Sequence, residues 1–122
     1  MGTARYELKR NAVGKVYFAF KDEGEQLVAV SQSFPDRAAL ETCITALRNI
    51  VKIATFVKEE ERLNPPCFLF KRTQSNRYHF WVTGFHGEIM LQSEEYIDMD
   101  TCLSCANYFK EQAAEAKIID FL

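Results

Sequence analysis

Cys102-Leu103-Ser104-Cys105 has the C-x-x-C spacing that thiol redox pairs and zinc knuckles both use. A redox pair needs a thiolate near a helix N-terminus, where the dipole lowers its pKa, and Asp98 and Asp100 oppose that effect. A four-cysteine zinc site needs a second close pair, but Cys43 and Cys67 lie far apart in the chain. The two histidines, His79 and His86, have no pattern that carries them to the Cys102 face. Redox and zinc chemistry at this motif therefore rank below inert thiols in a core. No nucleophile with a paired base and no phosphate-cradling glycine loop is legible, and Glu25 and Glu88 read as ordinary turn carboxylates. The expectation is a non-enzyme, with no catalytic residue, cofactor or metal ligand assigned.

A second candidate chemistry lies in residues 70–82, FKRTQSNRYHFWV, which interleaves basic and aromatic side chains as single-stranded nucleic-acid binders do. The whole chain opposes that reading, with a net charge of -2 and a sequence pI near 5.7. At 122 residues, 48% apolar and 26% charged, it reads as one soluble globular domain. No apolar run approaches the roughly 18 to 20 residues of a membrane span, and MGTARYELKR lacks the apolar core of a secretory signal. Cytoplasmic residence and reduced cysteines follow as expectations, with no membrane partner.

The elements that would carry these residues occur twice, at an offset of 62. Lys9-Arg10 recurs as Lys71-Arg72, Phe18 as Phe80, Ser31 as Ser93, Phe34 as Tyr96, Asp36 as Asp98 and Cys43 as Cys105. Gly14 and Asn76 match as the residue types that best tolerate positive φ in a tight turn. Each copy reads as three strands, a helix and a strand. The first occupies residues 6–10, 15–21, 26–31, 36–50 and 53–57; the second 67–72, 77–83, 88–93, 98–114 and 117–121. The division is a single domain of repeat 6–57, charged and proline-bearing linker 58–66, and repeat 67–121. Apolar spacing puts Leu40, Cys43, Ile44 and Leu47 on one helix stripe, and Cys102, Cys105, Ala106 and Phe109 on the other.

His86-Gly87-Glu88-Ile89 followed by Ser93-Glu94-Glu95-Tyr96, with Arg37-Ala38, Glu41, Ile44, Leu47 and Arg48 in the first helix, resembles the YegP-like family of small bacterial proteins without an established function. The resemblance runs from about Tyr6 to Phe121. It implies an α+β fold: two tandem βββαβ units forming one antiparallel sheet with both helices on one face. The C-terminal strands, 53–57 and 117–121, would be exchanged between units, making the chain a monomeric pseudo-dimer that needs no partner to close its fold.

Strand alternation then assigns a surface. With Val16, Phe18 and Phe20, and likewise Tyr78, Phe80 and Val82, turned toward the helices, the opposite face receives Lys9, Tyr17, Val28, Val30, Leu69, Lys71, His79, Trp81 and Met90. A solvated sheet face ordinarily alternates polar residues, and this one is unusually apolar. The bland alternative is that other segments cover it. Among functional readings, a face that binds a protein or small molecule, or forms a weak homodimer, ranks first. Single-stranded nucleic acid, stacked on Tyr17 and Trp81 with Lys9, Lys71, Arg72 and Arg77 near phosphates, ranks below it.

Overall fold

The computed structural model describes residues 3–62 and 64–122; Leu63, inside the expected linker, and Met1 and Gly2 lie outside the described residues. The chain runs β1 (Arg5–Arg10), β2 (Val16–Lys21), β3 (Leu27–Ser31), α1 (Arg37–Ile53), β4 (Thr55–Lys58), β5 (Cys67–Arg72), β6 (Tyr78–Thr83), β7 (Ile89–Ser93), α2 (Met99–Gln112) and β8 (Lys117–Asp120). All eight strands join one sheet in the order β4-β5-β6-β7-β3-β2-β1-β8. The strand after each helix crosses to the other half: β4 pairs with β5, and β8 with β1.

Those two edge pairs are parallel, so the sheet is not antiparallel throughout as expected; only its six central strands are. The central neighbours are joined by hairpins, which reverse the chain, or meet antiparallel across the β3–β7 seam. The edge pairs are not hairpins: β4 reaches β5 through residues 59–66, long enough to bring the chain back in the same direction, and β8 meets β1 from the opposite end of the chain.

Local chemistry punctuates the two halves alike. Asp36 caps α1 by accepting from Ala39 N at 2.9 Å, and Asp98 caps α2 by accepting from Thr101 N at 2.7 Å. The β1–β2 and β5–β6 turns place Gly14 at φ 84° and Asn76 at φ 60°, the left-handed region these two residue types tolerate. The helices then close each other's ends. Arg48 of α1 donates to the carbonyls of Ala114 and Ala116 at 2.8 and 2.7 Å, while Lys110 of α2 donates to those of Val51 and Ala54 at 2.6 and 2.8 Å. Carbonyls in the last turn of α1 and just beyond both helices thus gain cationic partners.

One core lies between the helices and the sheet. Tyr6, Phe18, Phe20, Phe68, Phe80 and Phe109 are fully enclosed in it. Phe109 on α2 ties the halves together, with its ring 4.7 Å from Phe20 and 6.2 Å from Phe68. Phe70 and Phe80 are buried and Tyr78 packs against the same core, which accounts for three of the four Phe, Tyr and Trp side chains of residues 70–82.

Candidate binding face

On the side of the sheet away from the helices, register pairs join one row of residues across all eight strands. The row runs Val57, Leu69, Trp81, Gln92, Val30, Ala19, Glu7, Ile119. A second row adds Lys71 beside His79 and Lys9 beside Tyr17. Seven expected face residues therefore share this side: Lys9, Tyr17, Val30, Leu69, Lys71, His79 and Trp81.

Val28 and Met90 do not, and the cause is local. Each sits where the register shifts, opposite the Phe20/Lys21 step and the Val82/Thr83 step respectively. A bulge sets two residues against one and breaks strict alternation. Both side chains consequently join the main core beneath the helices, 4% and 8% exposed.

The two halves of the face differ in chemistry. Around β1, Glu7 is buried among cations: Arg5 Nε at 2.8 Å, Lys21 Nζ at 3.1 Å and Lys9 Nζ at 3.5 Å. Burial alone would raise the Glu7 pKa, but hydrogen bonds and charge from Arg5 and Lys21 outweigh it and hold the carboxyl below its usual range. Around β5 and β6 the surface is apolar, with Val57, Cys67 and Leu69 forming a small cluster against which Trp81 packs. Leu69 is only 8% exposed, so the apolar atoms that reach solvent there belong mainly to the half-buried indole.

Trp81 is flanked by polar groups that do not complete it. The Lys71 ammonium lies 4.0 Å from its ring centroid, in cation–π range, and 3.9 Å from Glu59. The His79 ring is 5.9 Å away, and burial lowers its pKa, with Lys71 acting in the same direction against Glu95 and Glu59. Trp81 Nε1 is shielded and has no hydrogen-bond partner. An indole N–H in that position leaves about 1–3 kcal/mol of hydrogen bonding unmade.

Val57, Gln92, and Glu7 with its partners Arg5 and Lys21 escape sequence reasoning, which placed only Lys9 of that group on the face. The alternation Arg5, Glu7, Lys9 in β1 was a usable signal for the last; Gln92 enters through the β3–β7 pairing, which no local pattern encodes.

The cysteines form no such constellation. Cys43, Cys67 and Cys102 are buried thiols, and Cys105 is half-buried rather than fully within the stripe. Burial pushes the Cys43 thiol up to about 11 and Cys102 to about 12, opposite to the activation a redox nucleophile requires. Among the described residues, no three His, Cys, Asp or Glu side chains gather as a metal would need.

An eight-stranded sheet with two helices on one face and edge strands taken from the opposite half defines the class as an α+β fold of strand exchange within one chain. Solved structures of that fold exist. The solution structure of the protein of unknown function yegP from E. coli superposes with a TM-score of 0.80 at 15% identity, covering 99% of this chain and 95% of that one. A UPF0339 protein from Shewanella oneidensis also gives a TM-score of 0.80, at 14% identity, over 97% of this chain and 91% of its own. The YegP-like resemblance read from the sequence motifs thus holds for the fold. No family model matches the chain, and no curated protein matches it in sequence.

Proposed function

We propose that the protein is a non-catalytic binding module of the bacterial cytoplasm, built from the units 6–57 and 67–121, that engages a partner through the Trp81 half of its open sheet face. The observation that carries this is the half-buried Trp81 ring beneath the Lys71 ammonium, with an indole N–H that has no partner. A protein or small molecule that covers the exposed part of the indole beside Val57 and Leu69 and sets an anionic acceptor against the Lys71 ammonium would engage both.

Trp81 is the chain's single tryptophan, so its emission reports occupancy directly. Wild type and Trp81→Ala are compared as bait for a bacterial lysate and by sedimentation, which reads weak homodimerisation. A specific species captured, or a dimer formed, by wild type and lost in the variant supports the reading; identical behaviour of the two overturns it. The single-stranded nucleic-acid alternative is decided by titrating wild type with oligo-dT. Quenching of Trp81 that falls steeply from low to moderate salt would replace the present reading, because such binding releases counterions.

A further inference from the structure

The 62-residue correspondence makes each half a template for the other, and the halves differ at one gap between helix and hairpin. Val16 bridges Phe34 in one half and Tyr78 bridges Tyr96 in the other, so positions 62 apart occupy matching places. On α2, Tyr108 packs against the core and donates its hydroxyl to Glu23, tying the helix to the β2–β3 hairpin. On α1 the matching residue is Ala46, and Glu23 is matched by Phe85, which is 61% exposed. No phenol spans that gap. In its place is a cavity of about 360 Å³, floored by Phe34, Cys43 and Met90 and walled by Ala46 and Ile89, with Glu88 also lining it. A volume of that order falls in the range of small-molecule sites.

We infer that this cavity between α1 and the β6–β7 hairpin binds a small aromatic molecule bearing a hydrogen-bond donor, a phenol or an aryl amine. The other half supplies the reason, because there the gap is closed by an aromatic ring whose hydroxyl meets a carboxylate. The lining chemistry agrees. Phe34, Ile89 and Met90 offer apolar and aromatic contact, the thioether being a favourable neighbour for a ring. Glu88 is an exposed carboxylate that already accepts from His86 N at 2.9 Å through one oxygen, and a carboxylate has acceptor capacity beyond that single bond. The charge of Glu88 is felt inside the cavity, where it adds to the effect of burial in raising the Cys43 pKa. The site is on the helix side of the sheet, separate from the Trp81 face, so the two readings stand or fall apart.

The probe is p-cresol, the tyrosine side chain as a free molecule, titrated into the isotope-labelled full chain. Saturable shifts at Ala46, Ile89 and Met90 are expected, with toluene, which lacks the donor, binding at least about tenfold more weakly. Ala46→Tyr, which installs the closing ring covalently, should abolish those shifts, and Ala46→Leu should weaken them. Tyr108→Ala should open the matching gap and add a second set of shifts at Leu27 and Val28. No saturable shift at Ala46, Ile89 and Met90, or undiminished binding in Ala46→Tyr, overturns the inference. Should neither Ala46 variant fold, Tyr108→Ala decides: a second p-cresol site supports it, and an unchanged single set overturns it.

Discussion

Phe80 and Trp81 are adjacent in β6 and point to opposite sides of the sheet, so truncating each in turn tests the face assignment on which the proposed function rests. Phe80 is fully enclosed, its ring centroid 5.7 Å from Phe68 and 6.0 Å from Phe70. Phe80→Ala should leave a cavity in the main core and cost about 3–5 kcal/mol. Trp81 is half-buried, so truncation loses about 100 Å² of apolar contact, or about 2.5 kcal/mol at 25 cal/mol per Å². Loss of the Lys71 cation–π contact adds about 0.5–1 kcal/mol. Removal of a shielded donor with no partner returns about 1–3 kcal/mol. The net for Trp81→Ala is about 0–2.5 kcal/mol, below its neighbour. Urea unfolding followed by far-UV circular dichroism is the appropriate assay, because Trp81→Ala removes the only indole. An unfolded Phe80→Ala beside a folded Trp81→Ala gives the same answer as two midpoints. Equal costs, or a larger cost at Trp81, would refute the assignment and with it the binding face. Trp81→Phe refines the test: it keeps most of the ring area and deletes the unpartnered N–H, so stability should stay within about 0.5 kcal/mol of wild type or rise.

Native thiol titration at pH 8 should find Cys43, Cys67 and Cys102 silent, with the half-buried Cys105 accounting for any early reaction and all four cysteines appearing on denaturation; fast reaction of Cys102 would reopen the redox reading. Glu7→Gln should lower stability at pH 7 by about 1–2 kcal/mol, since it removes the carboxylate that three cations share. The sign with pH follows from the depressed Glu7 pKa: its contribution is present above the unfolded value of about 4.3 and is lost as pH falls through the folded one. Wild type and Glu7→Gln should therefore converge in urea midpoint as the pH falls below about 4, and a constant gap would show that Glu7 acts through packing.

Most of the fold is legible because its signals are local. Asp36 and Asp98 cap helices, Gly14 and Asn76 turn hairpins, and the alternation of Val16, Phe18 and Phe20 survives intact in β2. Residue 53 shows where local reading fails: Ile53-Ala54-Thr55-Phe56-Val57 looks like one β run, yet α1 continues through Ile53 and ends when Ala54 N donates to Ile50 O at 2.8 Å. Val28 and Met90 fail for a different reason. A one-residue bulge inverts the face of everything beyond it, and nothing in Leu27-Val28-Ala29 or Ile89-Met90-Leu91 announces the inversion. Val57 and Gln92 reach the site through pairings between distant halves, which are set by the closure of the whole sheet.

The face itself shows where the two halves have parted. Arg5, Glu7, Ala19 and Lys21 in the first half correspond to Cys67, Leu69, Trp81 and Thr83 in the second, at a constant offset of 62. The inward residues between them stay large and apolar: Tyr6 matches Phe68, Leu8 matches Phe70, Phe18 matches Phe80 and Phe20 matches Val82. Core packing alone constrains the inward set and is indifferent to what the outward set carries, so a charged network and an apolar platform are equally compatible with this sheet. The first half satisfies its buried polar group internally, with Glu7 held by Arg5 and Lys21. The second leaves one unpaired, the shielded Trp81 N–H, beside a half-buried ring and the Lys71 ammonium. A ligand gains most where apolar area and a weakly partnered cation are exposed and least where close ion pairs must first be displaced. That difference supports the proposal that recognition uses the Trp81 half, while the Glu7 half carries the edge on which β8 docks.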